Sequence, residues 1–215
     1  MVHNLSLYNS IVNQFVSELR DIQIQKDRMR FRKNLERLGE IFAYEISKTL
    51  TYEERDVVTP LGIATVPVLI NQPIVGTILR AGLPLHYGLL NYFDQADNAF
   101  ISAYRRHHKD GSFDIKLEYI GSPAIENREL ILCDPMLATG SSIVMTYKAL
   151  LEKGTPSHTH IVSALASTLG VEYVKANLPS NVTIWCAAID EELTAQSYIV
   201  PGLGDAGDLA FGNKM

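Results

Sequence analysis

The residues best placed to do chemistry lie between Leu130 and Ser142, Leu-Ile-Leu-Cys-Asp-Pro-Met-Leu-Ala-Thr-Gly-Ser-Ser. An apolar run ends at Asp134, a short loop closes on Thr139-Gly140-Ser141-Ser142, and an amphipathic stretch from Ile143 to Lys153 follows. This order reads as strand, loop and helix. Small polar residues at a helix start present free backbone N–H groups and the positive end of the helix dipole, which suits a phosphate. Asp134, at the strand end, falls where open α/β sheets bind ligands. A carboxylate beside a phosphate cradle fits a sugar phosphate, because the acid accepts the ribose hydroxyl protons. Taken alone, the Thr and Ser residues would be an ordinary helix cap.

Three further segments carry chemistry. Arg80-Ala81-Gly82 follows an apolar run. Small residues let backbone N–H groups approach an anion, and the guanidinium adds a bidentate fork. Arg105-Arg106-His107-His108-Lys109 is a basic cluster, most of which reads as a solvated loop. Tyr198 to Asp208 holds three glycines, a proline and two acids, the composition of a surface turn. Its apolar members Ile199, Val200 and Leu203 indicate a packed, shaped loop instead, whose fixed backbone groups can read a small planar ring. The pairs His107-His108 and His158-Thr159-His160 lack a third ligand in sequence, so they read as surface or strand-end histidines.

These segments need positioning elements. Asn9 to Arg20 has helical spacing through Ile11, Phe15 and Leu19. Asp27 to Leu50 is a stronger helix, with Phe31, Leu35, Leu38, Phe42 and Ile46 on one face. Thr59-Pro60-Leu61-Gly62 is a turn between two β-like runs. Strands are expected over Ile74–Leu79, Ala99–Tyr104, Phe113–Ile120, Arg128–Cys133, Thr159–Ala166 and Val182–Ala187. Helices are expected over Leu83–Phe93, with Pro84 in the first turn, Ile143–Lys153 and Val171–Asn177. The alternation implies an α/β fold, a mainly parallel sheet flanked by helices. The chain reads as one domain, residues 1–215, with N-terminal helices at about 9–50 and a β-arm at about 102–120 joined by an exposed basic loop. The first fifteen or so residues add little.

Composition narrows the function classes. Hydrophobic residues make up 47% and charged residues 20%, ordinary for a globular chain. A net charge of −5 argues against a dedicated nucleic-acid binder. Cys133 and Cys186 both sit in apolar runs, so buried free thiols and a reducing cytoplasm are expected. No signal peptide, membrane span or Gly-x-x-x-x-Gly-Lys-Ser/Thr phosphate loop is read in the sequence.

Leu130 to Ser142 resembles the phosphoribosyl-diphosphate (PRPP) motif of the type I phosphoribosyltransferases: apolar strand, acidic pair, Thr-Gly-rich loop. Pro135 replaces the second acid, and Asp-Pro-Met-Leu-Ala-Thr-Gly is similar to the form found in uracil phosphoribosyltransferases. The blocks Leu79–Gly82 and Tyr198–Asp208 resemble the same family, in the same order, and the resemblance runs from about Arg20-Asp21 to the end. It implies the type I phosphoribosyltransferase fold, with the β-arm as a hood over the site. It also implies transfer of the 5-phosphoribosyl group from PRPP to uracil, giving UMP and pyrophosphate in pyrimidine salvage. Asp134, Arg105 and Arg80 would be the catalytic residues. PRPP would be held by Arg80, Ala81, Gly82, Arg105, Asp134, Met136, Ala138, Thr139, Gly140, Ser141 and Ser142. Uracil would lie against Tyr198, Ile199, Gly204, Asp205 and Ala206, with Asp205 close to pyrophosphate and an indirectly held Mg²⁺. A homodimer or higher homo-oligomer and activation by GTP are also implied.

Four departures accompany the resemblance: Ser141 where relatives carry Gly, Leu83-Pro84-Leu85-His86 after the Arg80 loop, Leu209 in place of a basic residue, and Ile22 to Lys26 after Arg20-Asp21. Two other readings share the fold: transfer to another base, such as a purine, and a pyrimidine-sensing, RNA-binding regulator without catalysis. The Asp134-Pro135 form and the Tyr198–Asp208 loop argue against the first, and the negative net charge against the second.

Overall fold

The computed structural model describes residues 1–107 and 113–213. The chain opens with strand β1 (Val2–Asn4) and helices α1 (Ile11–Arg20) and α2 (Arg28–Ser47). Asp27 caps α2, its carboxylate accepting the N–H groups of Met29 and Arg30 at 3.0 Å each. A hairpin follows, β2 (Tyr52–Thr59) and β3 (Gly62–Leu69), then β4 (Ile74–Leu79) and α3 (Leu83–Leu90). β5 (Asp97–His107) pairs antiparallel with β6 (Phe113–Gly121), as expected of the arm. Then come β7 (Glu129–Cys133), β8 (Met136–Leu137), α4 (Ser141–Leu150), β9 (His158–Ser167), α5 (Thr168–Asn177) and β10 (Val182–Asp190). Two short strands, β11 (Glu192–Leu193) and β12 (Ile199–Val200), and helix α6 (Ala206–Phe211) finish the chain.

The main sheet runs β1-β10-β9-β7-β4-β5-β6, with β8 added beside β9, and every pair except β5–β6 is parallel. Parallel strands need crossover helices on both faces, and their side chains alternate between the two layers. Ile131 and Cys133 of β7 join Trp185 and Ala187 of β10 in a core under α1, α2, α3 and α6. Leu130 and Leu132 point the other way, into a core with Ile143 and Tyr147 of α4 and Val171 and Val174 of α5. β4 is flanked by β5 on one side and β7 on the other, so the direction in which strands are added reverses there. In open α/β sheets that switch point opens a crevice at the carboxyl ends of the strands.

The apolar stripe expected on α2 is buried as read: Phe31, Leu35, Leu38, Phe42 and Ile46 are all at most 1% exposed. On α1 the stripe differs. Leu19 is buried as read and Phe15 is partly buried, but Ile11 is 59% exposed and Val12 and Val16 are buried in its place. That rotation also seats Glu18 against α2, where its carboxylate accepts from Arg30 at 2.8 Å and from Asn34 at 2.7 Å. α2 and α3 touch backbone to backbone: a Cβ at Gly88 would lie 1.9 Å from the Glu36 carbonyl oxygen. β1 was absent from the sequence reading. It is an edge strand, with Val2, His3 and Asn4 registered against Ile184, Trp185 and Cys186. Both cysteines are free and buried, and burial pushes each thiol up to about 12. Among the described residues no helix is long and apolar enough to cross a membrane.

Glu18 gives a stability prediction. Hydrogen bonds from Arg30, Asn34 and Gln14 hold its carboxyl at about 2, below the ordinary 4.5, against the burial that would raise it. A carboxyl depressed on folding stabilises the fold above its unfolded pKa and loses that contribution as pH falls through the folded value. Glu18→Gln is therefore expected to cost about 1–3 kcal/mol at neutral pH. Denaturant titration should show the gap closing between pH 4.5 and 2, the interval Glu18 itself spans. A gap of constant size across that interval would contradict the assignment.

Candidate active site

The carboxyl ends of β4 and β7 place the two strongest sequence blocks side by side. β4 ends at Leu79 and runs straight into Arg80-Ala81-Gly82; β7 ends at Cys133 and runs into Asp134. Thr77 and Cys133 are register partners. Gly82 fills the gap between the loops: a Cβ there would lie 2.2 Å from Thr77 Oγ1 and 3.1 Å from the Cys133 carbonyl oxygen. No other residue fits without moving backbone, so the tight Arg80–Gly82 loop has a steric cause. Pro84 falls in the first turn of α3 as expected. His86 is buried against Phe100, with ring centroids 5.3 Å apart, and burial pushes its pKa down to about 4. The ring is thus neutral at neutral pH and turned into the protein, which removes it as an anion ligand.

The backbone of Asp134 is fixed on both sides. Its N–H donates to the Val162 carbonyl at 3.0 Å, and its own carbonyl accepts from Ser163 Oγ at 2.6 Å. The Pro135 carbonyl accepts the Leu165 N–H at 3.0 Å. Neighbouring β9 therefore rivets the turn that carries the carboxylate. Met136 and Leu137 return briefly to the sheet as β8, and Ala138 to Gly140 lead into α4.

Gly140 is the N-cap of α4 with φ +77°, and no side chain caps the helix. A Cβ there would meet the Gly170 carbonyl oxygen at 2.8 Å, so both conformation and space require glycine. Ser141 is the first residue of α4 and is not among the residues with positive φ. The serine that departs from the family pattern therefore sits in ordinary helical backbone, and the geometry of the loop is kept. Thr139 Oγ1 accepts the Ser141 N–H at 3.4 Å and lies 3.2 Å from Ser141 Oγ. A ten-residue helix whose N-cap residue has no side chain offers the N–H groups after Ser141 and its positive dipole end to an anion.

The C-terminal segment closes on the Arg80 loop. β11 and β12 form a small antiparallel pair that leads through Pro201 to Gly202, Leu203 and Gly204. Ile199, Leu203 and Ala206 are buried, which makes the loop a packed shape, whereas Tyr198 is 44% exposed. Gly204 has φ +97°. Asp205 caps α6, Oδ1 accepting the Asp208 N–H at 2.9 Å. Leu209 packs against the core under α2. A Cβ at Gly207 would lie 3.8 Å from Arg80 Nη2 and 3.9 Å from Ala81 Cβ, so the start of α6 rests on the Arg80 loop.

Two contacts here went unread in the sequence. Arg80 Nη2 donates to Asp208 Oδ1 at 3.0 Å and to the Gly212 carbonyl at 3.1 Å. Arg20 forms a two-pronged ion pair with Asp190, at the carboxyl end of β10, and also holds Gly202. Asp190 had the same signal as Asp134, an acid that ends an apolar strand. Lys26, at the end of the departing Ile22 to Lys26 stretch, donates to Gln23 Oε1 at 3.0 Å on an exposed turn.

Arg105 lies on β5 opposite Ile115 of β6. Its side chain is outside the described part of the structure, as are those of Arg106 and His107, and residues His108 and Lys109 altogether. His158 and His160 sit at the start of β9, hydrogen bonded to Thr183 Oγ1 at 2.9 Å and to Trp185 Nε1 at 3.1 Å. Among the described residues no three His, Cys, Asp or Glu side chains converge as a metal site. A separate concavity beside β1 is lined by His3, Tyr8, Glu45 and Trp185 but by no Lys or Arg, which makes it a poor phosphate site.

A family model described as uracil phosphoribosyltransferase matches residues 7–213. A Porphyromonas gingivalis protein named uracil phosphoribosyltransferase is 56% identical over 214 residues, spanning 100% of this chain and 99% of its own. A Pyrococcus furiosus protein of the same name is 38% identical over 208 residues, 95% of this chain and 87% of its own. A solved Aquifex aeolicus structure superposes with a TM-score of 0.87 at 28% identity, covering 99% of this chain and 98% of that one. A Staphylococcus aureus hypoxanthine phosphoribosyltransferase shares the fold at 14% identity, with a TM-score of 0.50 over 75% of this chain and 76% of its own. The parallel sheet, the loops gathered at its switch point and a family match that runs nearly end to end agree: this chain belongs to the uracil phosphoribosyltransferase family.

Proposed function

We propose that the protein transfers the 5-phosphoribosyl group of PRPP to uracil, forming UMP and pyrophosphate. The observation that carries this is the meeting of three loops at the switch point: the Arg80 loop, the Asp134–Ser142 turn and the start of α6 after the Tyr198–Asp205 loop. In the reaction the bond from the anomeric carbon to pyrophosphate breaks, the bond to the uracil ring nitrogen forms, and that nitrogen loses its proton. The sugar passes through a cation-like state while negative charge builds on the leaving group. Arg80 and Arg105 would stabilise that leaving charge. The α4 N-terminus, from Ala138 to Ser142, would hold the 5′-phosphate. Asp134 would hold the ribose hydroxyls and stabilise the cationic sugar. Backbone groups at Ile199, Gly204 and Ala206, flanked by Tyr198, would read the acceptor–donor pattern of uracil. Holding the ring against the anomeric carbon supplies much of the remaining acceleration.

Mg²⁺ fits this donor set in one way. Magnesium keeps its waters and is held by one or two carboxylates together with substrate oxygens. Asp205 would be such a carboxylate, acting indirectly through pyrophosphate, and no protein-only cage is needed. When bound, the ion would neutralise pyrophosphate charge.

We also propose a homodimer that uses the β2–β3 hairpin, within a reducing cytoplasm suited to the two free thiols. A lone two-stranded hairpin is marginal in water. This one exposes Val58, Leu61 and Ile63 at 84%, 100% and 71%, and Val58 and Ile63 are directly opposed in register. A second copy would cover that tip. Val58→Asp with Ile63→Asp is expected to shift the protein from dimer to monomer in sedimentation equilibrium. A wild-type protein that sediments as a monomer would refute the dimer.

The test of function is incubation with PRPP, Mg²⁺ and one base at a time, with and without GTP, reading pyrophosphate and nucleotide. UMP formed from uracil alone is the expected result. PRPP bound without any product, together with salt-sensitive RNA retention, would transfer belief to the regulator.

A further inference from the structure

One ion pair controls the backbone at the middle of the base loop. Arg20 is the last residue of α1, and Asp190 the last of β10. Arg20 Nη1 and Nη2 donate to Asp190 Oδ2 and Oδ1, each at 2.7 Å. The same Nη1 donates to the Gly202 carbonyl at 3.0 Å, and the Gly202 N–H donates to Asp190 Oδ2 at 3.0 Å. Both backbone polar groups of Gly202 are thus held by this pair. Asp190 is 8% exposed. Burial alone would raise its carboxyl, but hydrogen bonds from Arg20 and the Gly202 N–H, with the guanidinium charge, bring it below the usual range.

Gly202 has φ +57°, and a Cβ there would fall 2.0 Å from the Ile199 carbonyl oxygen. It lies between Ile199 and Gly204, whose backbone groups are assigned to the base. The apolar side chains on either side, Ile199 and Leu203, are buried. Burial of side chains pins the loop to the core but does not fix how its carbonyl and N–H groups are turned. A planar guanidinium paired with a carboxylate does, because a two-pronged contact sets direction as well as distance. Gln25 ties the far side of the clamp, its Nε2 donating to the Arg20 carbonyl at 3.0 Å.

We infer that Arg20 and Asp190 are positioning residues that set the base loop through Gly202 and so determine uracil affinity. Neither residue is assigned to touch substrate. The role rests on the reading of residues 198–206 as the uracil site. Removing the clamp frees Gly202 to turn, and the loop then presents its hydrogen-bonding groups to uracil only part of the time. PRPP, bound at the Arg80 loop and the α4 N-terminus, is held by other elements and should be affected little.

The experiment compares wild type with Arg20→Lys, Arg20→Ala and Asp190→Asn, varying PRPP and uracil separately. KM for uracil is expected to rise about tenfold or more in Arg20→Ala and Asp190→Asn, the scale of losing charge-assisted hydrogen bonds. Arg20→Lys should fall between, since it keeps the charge and loses the fork. KM for PRPP should stay within about threefold, because its contacts lie elsewhere. Guanidinium ion, added to Arg20→Ala, should recover part of the uracil affinity by refilling the vacated fork. Uracil and PRPP constants rising together, or an unchanged KM for uracil, would overturn the clamp. If Arg20→Ala does not fold, Arg20→Lys decides by the same split. Failure of the function itself would show in wild type, as absence of UMP, and is thus separable from failure of the clamp.

Discussion

Arg80→Ala should weaken PRPP and pyrophosphate binding by about tenfold to a hundredfold, the range expected for losing a charged hydrogen-bond donor. Arg80 stands at the switch point, directly after β4, and its guanidinium already carries an acidic partner. That partner, Asp208, and the Gly212 carbonyl both take Nη2. These two acceptors hold the guanidinium in place, and in the proposed reaction an oxygen of PRPP would compete with Asp208 for it. Truncation would also loosen α6 from the Arg80 loop, and the variant Asp208→Asn separates the two effects. It weakens the ion pair while leaving the Arg80 charge for the substrate. PRPP affinity in Asp208→Asn should hold or improve, whereas in Arg80→Ala it should collapse. Isothermal titration with PRPP and with pyrophosphate reads both. A loss confined to uracil in Arg80→Ala would contradict the anion-loop assignment.

Asp134→Asn should reduce kcat by about a hundredfold to a thousandfold, the scale seen when one group that stabilises transition-state charge is removed. Asparagine keeps the size of the side chain and can still bond a ribose hydroxyl. The negative charge that the proposed mechanism sets against the cationic sugar is what disappears. The turn should survive, because Val162, Ser163 and Leu165 hold the backbone from Asp134 to Pro135 through main-chain groups that the substitution leaves alone. KM for PRPP should therefore change far less than kcat. Steady-state kinetics with both substrates decides the matter, and an undiminished kcat would remove Asp134 from the chemistry.

What the sequence determined by itself was whatever short-range chemistry encodes. A short unbroken apolar run gave β4 its span, and the three-or-four spacing of Phe31 to Ile46 gave α2 its buried face, because side-chain period follows directly from backbone geometry. The run from Leu130 to Ser142 announced strand, turn and helix N-terminus for the same reason. The tertiary structure alone decided the contacts between distant segments. β1 has three residues and no usable period; it is a strand because β10 offers an open edge. α1 carries two apolar stripes that share Leu19, and only packing against α2, with Glu18 seated on Arg30, selected Val12 and Val16 over Ile11. Arg80 and Asp208 are 128 positions apart, and Arg20 and Asp190 are 170 apart. An ion pair at such separation leaves no periodic trace, since either residue alone reads as a solvated charge. It exists because parallel strands deliver their carboxyl ends to one edge of the sheet, where loops from remote parts of the chain meet.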